Sequence, residues 1–149
     1  MTIEEEIKQP KFKNVYQKVA INLIYTANWL QGIQQEFFKS FGITSSQFNI
    51  LRILRGQRPN KISGVEIKSR MLDNNSDIPR LLDRLIKKNL IVKSPCPNDK
   101  RAADIMITNE GLAVLTQIDS FIDETQKTQI HLSKEDAFVL SNLLDKCRG

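Results

Sequence analysis

The sequence predicts a mainly α-helical fold carrying one small β-hairpin, and three observations point that way. Apolar residues recur at steps of three or four along most of the 149 residues. Capping-box signals stand just ahead of two of these runs. One stretch near residues 90–108 switches instead to short β-branched segments around a polar loop.

The first run, Phe12 to Phe41, aligns Phe12, Val15, Val19, Leu23, Ala27, Leu30, Ile33 and Phe37 on one stripe of a long helix. Ile24, Trp29 and Phe38 widen that surface beyond a single stripe, which argues for packing against both its own domain and a partner chain. Gly42 ends the helix. Thr44-Ser45-Ser46-Gln47 is a capping box, stapled by Ile43 and Phe48, and opens a helix that Gly56 stops. After the Pro59-containing loop 57–61, Ser63-Gly64-Val65-Glu66 is a second box, stapled by Ile62 and Ile67, for a short helix ending near Met71. A tight link of Leu72, Asp73 and Asn74 leads to a third helix, whose apolar face is Ile78, Leu81, Leu82, Leu85 and Ile86 and which Asn89 closes.

Leu90-Ile91-Val92 and Asp104-Ile105-Met106-Ile107-Thr108 then read as two strands around the polar, basic segment Ser94–Arg101. Thr108 and Ser133 are placed to cap two final helices, 109–129 and 134–147.

Charge is unevenly distributed. Residues 52–101 hold 13 Lys/Arg against 5 Asp/Glu, whereas residues 102–149 hold 4 against 8. A basic middle segment implies a polyanionic partner. Two cysteines, Cys96 and Cys147, lack metal-site spacing and His131 is the single histidine, so neither metal nor cofactor is expected. The acidic start MTIEEEIKQP does not resemble a secretory signal, no run could span a bilayer, and a cytoplasmic location is expected. No nucleophile–histidine pair or glycine-rich phosphate loop stands out, which argues against an enzyme.

Helix, short helix, tight turn, helix and hairpin is the order of a winged helix-turn-helix. Such a unit offers its second helix to the major groove of double-stranded DNA. The hairpin tip, with Lys100 and Arg101, can reach a neighbouring minor groove. The layout is one domain, 1–149, with the winged part at 43–108 and dimerisation helices at 10–41 and 109–147. A homodimer implies a pseudo-palindromic site. The rival reading is a dimeric protein-interaction module of the same fold that does not bind DNA.

The run Asp99-Lys100-Arg101-Ala102-Ala103-Asp104-Ile105-Met106-Ile107-Thr108 resembles the wing signature of the MarR (multiple antibiotic resistance regulator) family, with Ile107 in place of leucine. Ser76-x-x-x-Arg80-Leu81-Leu82-Asp83-Arg84-Leu85, followed by Lys87-Lys88-Asn89-Leu90-Ile91, is similar to that family's recognition helix and its exit. The resemblance implies that Arg101 enters the minor groove and that Asp99 braces the wing. It puts Asn74, Asn75, Ser76 and Asp77 at the groove-facing helix start, with Arg80, Arg84, Lys87 and Lys88 following. It also implies a small, often phenolic effector between the DNA-binding part and the dimer helices, for which Tyr16, Tyr25, Trp29 and Phe37 are candidates. The cysteine that some relatives use as a peroxide sensor in the first long helix is absent here, and Cys96 is expected exposed on the hairpin.

Pro79 departs from the family pattern. Proline lacks an amide hydrogen and fits only a helix's first turn. The expectation is therefore a late start with Ser76 as cap, rather than Asn74.

Overall fold

Short polar side chains set the helix starts. In the computed structural model, which describes residues 1–96 and 99–149 with side chains outside 96–102, the elements run α1 (Ile3–Glu6), α2 (Val15–Lys39), α3 (Ser45–Gln57), β1 (Ile62–Ser63), α4 (Gly64–Arg70), α5 (Ile78–Lys87), β2 (Ile91–Cys96), β3 (Asp99–Ile107), α6 (Asn109–Gln129) and α7 (Lys134–Arg148). Asn14, Thr44, Ser63, Thr108 and Ser133 each accept an amide of the first turn they precede.

The Thr44 box is complete: Gln47 N–H donates to Thr44 Oγ1, and Thr44 N–H donates to Gln47 Oε1, both at 3.1 Å. The second expected box closes on one side. Ser63 Oγ accepts from Glu66 N–H at 3.2 Å, but the Glu66 carboxylate takes the Arg70 guanidinium instead. Gly56 does not stop α3, which continues to Gln57. At the end of α5, Asn89 adopts a left-handed φ of 59°. Leu90 N–H reaches Leu85 carbonyl at 3.1 Å and Asn89 N–H reaches Ile86 carbonyl at 2.9 Å, the two bonds of a Schellman exit.

Two elements go beyond the expectation. α1 is a single turn at the N-terminus, fixed by a Thr2–Glu5 capping box. The wing is a three-stranded antiparallel sheet in the order β1-β3-β2, with Ile62 opposite Ile105 and Ile91 opposite Ile107. β2 and β3 also extend well into the segment read as a loop.

Ile50, Leu51, Leu54, Ile67, Leu85, Ile91, Ile105, Leu115 and Ile118 are fully enclosed, so one core joins α3, α4, α5, the sheet and α6. Gly111 sits where α6 crosses the sheet. A Cβ there would collide with the Leu90 carbonyl and the Ile107 side chain. Arg55 ties α3 to α6 by a forked pair with Asp119, at 2.6 and 3.4 Å. This frame holds α5 on its inner face and leaves its outer face free.

Candidate nucleic-acid interface

α5 buries Ile78, Leu82 and Leu85 and exposes Arg80, Asp83, Arg84 and Lys87. Arg80, Arg84 and Lys87 lie at i, i+4 and i+7, which stacks three cations along one helix face. None of the three has an ion-pair partner among the described residues.

The start of α5 differs from the expectation. Asp77, rather than Ser76 or Asn74, is the N-cap, and its Oδ1 accepts from Arg80 N–H at 3.3 Å. Pro79 is then the second helical residue, where its missing amide costs nothing. Of the four residues expected at the helix start, Asn74, Asn75 and Ser76 therefore sit in the preceding link. Asp73 Oδ1 accepts from Asn75 N–H at 2.9 Å, and Ser76 Oγ is enclosed with no hydrogen-bond partner among the described residues. Asp77 is a cap, and the hydroxyl of Ser76 is not presented to solvent. Asn74 and Asn75 remain exposed.

Lys88 is also engaged elsewhere. Its ammonium donates to the Gly42 carbonyl at 2.5 Å and to Gln47 Oε1 at 3.2 Å, bracing the end of α5 against the α2–α3 corner. Arg84 has no ion-pair partner among the described residues.

Lys68 of α4 and Lys93 of β2 flank a cleft of about 740 Å³ between the start of α5 and the sheet. Neither was picked out by sequence pattern, because one lies on a short helix and the other on a strand, with no shared period. The side chains of Asp99, Lys100, Arg101 and Cys96 lie outside the described residues.

A second hollow, of about 610 Å³, opens between the C-terminal part of α2, α3, the α4–α5 link and the end of α6. Of the four aromatic candidates only Phe37 lines it. Tyr16 is 81% exposed and Trp29 43% exposed, both on earlier turns of α2. Tyr25 donates its hydroxyl to a Glu6 carboxylate oxygen at 2.7 Å, a bond that raises the phenol's pKa above its ordinary value. The lining is instead rich in amides, including Gln31, Gln34, Asn49 and Gln126.

The outer helices carry uncovered apolar side chains. α7 buries none of its residues, and Phe138, Val139, Leu140 and Leu143 are exposed. Val15, Tyr16, Val19 and Ile24 are exposed on α2. Among the described residues no group of three His, Cys, Asp or Glu could hold a metal ion, and no helix is long and apolar enough to cross a membrane.

Comparison with known proteins agrees with this geometry. Residues 43–103 match the profile of the MarR family. The chain is 30% identical over 113 residues to the multiple antibiotic resistance protein MarR of Escherichia coli, covering 74% of this chain and 77% of that one. Its fold is similar to a MarR mutant of Escherichia coli solved in complex with operator DNA, with a TM-score of 0.73, 27% identity, and 85% and 91% of the two chains covered. It is also similar in fold to BpsR of Bordetella bronchiseptica, described with the regulation of its DNA binding by 6-hydroxynicotinic acid (TM-score 0.77, 22% identity, 89% and 99% covered). The chain belongs to the MarR family, whose members are DNA-binding transcription regulators and not enzymes.

Proposed function

We propose that this regulator acts in the cytoplasm as a homodimeric repressor that binds a pseudo-palindromic operator and is released by a small ligand. The observation that carries the reading is the outer face of α5, where Arg80, Arg84 and Lys87 stand in line while the inner face is locked in the core. A rigid helix with free cations on its outer face suits the major groove, about 12 Å wide. Asn74 and Asn75, exposed just before the helix, supply short polar groups for base edges. Lys68 and Lys93 add phosphate contacts beside them, while Lys100 and Arg101 on the wing reach the minor groove. Asp99 braces that wing.

The uncovered apolar faces of α2 and α7 support self-association, since a twofold dimer would cover the same patch on both copies. The two α5 helices would then meet half-sites about 10 base pairs apart. Ligand release is supported by the hollow between the reading unit and α2, and by the regulation of BpsR by 6-hydroxynicotinic acid.

The test is selection of bound duplexes from a random pool by the purified full-length protein. Enrichment of a pseudo-palindrome is the predicted result. Failure to enrich any sequence, with a folded dimer in hand, would favour the protein-interaction reading.

A further inference from the structure

The cation stripe of α5 has an apolar neighbour. Pro79, the residue before Arg80, is exposed in the first turn of the helix. Its side chain is a ring of methylenes with nothing to donate or accept. Val65, the second residue of α4, is 82% exposed and lines the same cleft as Pro79, which widens the apolar spot. Neither side chain is needed to close the core, because Ile78 and Leu82 are buried beneath them.

Cations surround this spot. Arg80, Arg84 and Lys87 run along the exposed face of α5, and Lys68 and Lys93 flank the cleft. That setting suits a polyanion rather than an apolar protein surface. In the major groove, duplex DNA displays one kind of apolar group, the 5-methyl of thymine. A recognition helix meets base edges with its N-terminal residues, and Pro79 is the second residue of α5. Set against the amino group of adenine or cytosine, or the O6 of guanine, the ring would leave a polar edge dry and unpaired. Set against thymine, it covers a methyl group. The ring also has no rotamer freedom to lose, so the contact carries no side-chain ordering cost.

Resting on the operator-binding reading above, we propose that Pro79 selects a thymine in each half-site by packing against its 5-methyl group. Each seated methyl changes affinity about fourfold, the effect of one buried methylene. The arginines and lysines beside it hold the helix in the groove by phosphate and base contacts, while the proline sets which base pair is accepted at the helix start. The contact lies on the major-groove side and is independent of the wing.

The test is titration of the full-length protein against its selected operator with thymines replaced by deoxyuridine, one symmetric pair at a time. Deoxyuridine removes the methyl group and keeps the pairing edge. The readout is the ratio of Kd for the deoxyuridine duplex to that for the thymine duplex, each variant being its own reference. One symmetric pair facing α5 should raise Kd about 15-fold in the wild type, two methyls at about fourfold each. Pro79→Ser should bring the ratio at that pair below about twofold. Pro79→Val, apolar without the ring, should keep it above about fivefold. Pro79 is exposed and sits where a helix tolerates either residue, so both variants should keep the fold, as circular dichroism would show. Absence of a deoxyuridine-sensitive pair, a wild-type ratio in Pro79→Ser, or Pro79→Val behaving like Pro79→Ser would overturn the proposal. Failure of the wild type to prefer the unmodified operator over a scrambled duplex would instead overturn the DNA-binding reading on which it rests.

Discussion

Lys88 donates its ammonium to the carbonyl of Gly42, a residue 46 positions earlier, at 2.5 Å, and shares it with Gln47 Oε1. Gly42 turns the chain between α2 and α3 with a φ of 73°, so the bond ties the end of α5 to the base of the long helix α2. A cation used in this way is withdrawn from DNA. Lys88→Ala should cost about 1 kcal/mol of stability, a hydrogen bond to a charged group discounted for its exposure. Its salt dependence of DNA binding should match wild type. Arg84→Ala should show the opposite pattern, with stability kept and the log–log salt slope reduced by about 0.9 per lost phosphate contact. Urea unfolding and titrations at several salt concentrations separate the two.

The cap of α5 gives a second prediction. Asp77→Ala removes the acceptor for Arg80 N–H and should cost about 1 kcal/mol, while Asp77→Asn recovers most of it. DNA affinity should fall with Asp77→Ala more than global stability explains, because fraying would begin at the end of the helix next to the link. A Ser76→Ala variant with the larger stability loss would show that the cap is misplaced.

Two glycines separate close approach from mere presence. Gly111→Ala drives a methyl group into the Leu90 carbonyl and should destabilise by about 1–3 kcal/mol. Gly56 lies in α3 with no atom near its missing side chain, so Gly56→Ala should stabilise by roughly 0.5–1 kcal/mol. Thermal unfolding of both variants checks the signs.

Most helix limits were legible because they are written in one or two residues. Thr44, Ser63, Thr108 and Ser133 do locally what capping residues do in isolation, and Asn89 takes the left-handed turn that few other side chains accept. The start of α5 was harder, since Asn74, Ser76 and Asp77 are all good caps within four residues. Pro79 restricts the choice without making it. β1 was invisible because two residues, Ile62 and Ser63, become a strand only through β3, some forty positions away. Of the site, the stripe Arg80, Arg84 and Lys87 followed from helical period. The role of Lys88 did not, since its partners come from another corner of the chain. The aromatic candidates are spread along α2: Phe37 lines the hollow, whereas Tyr16, Tyr25 and Trp29 stand on earlier turns and Gln31 and Gln34 take the places beside it.

The wing offers a sharper test of specificity. Arg101→Ala should cost about 1–3 kcal/mol in operator binding if the guanidinium occupies a narrowed minor groove. The loss should be largest on duplexes with A·T pairs at the wing contacts and small on G·C-substituted ones. Cys96→Ser should leave binding within about threefold, since a neutral thiol adds little to contacts dominated by phosphates. An Arg101→Ala protein binding the selected operator as tightly as wild type would remove the wing from the interface.

The central claim is sequence-specific DNA binding by the α5 face and the wing together. It is tested most directly by titrating the full-length protein against its selected operator and a scrambled duplex of equal length at two salt concentrations. Binding should be at least about 10³-fold tighter to the operator, with both affinities falling steeply as salt rises. Equal affinity for the two duplexes, or binding that ignores salt, would contradict it.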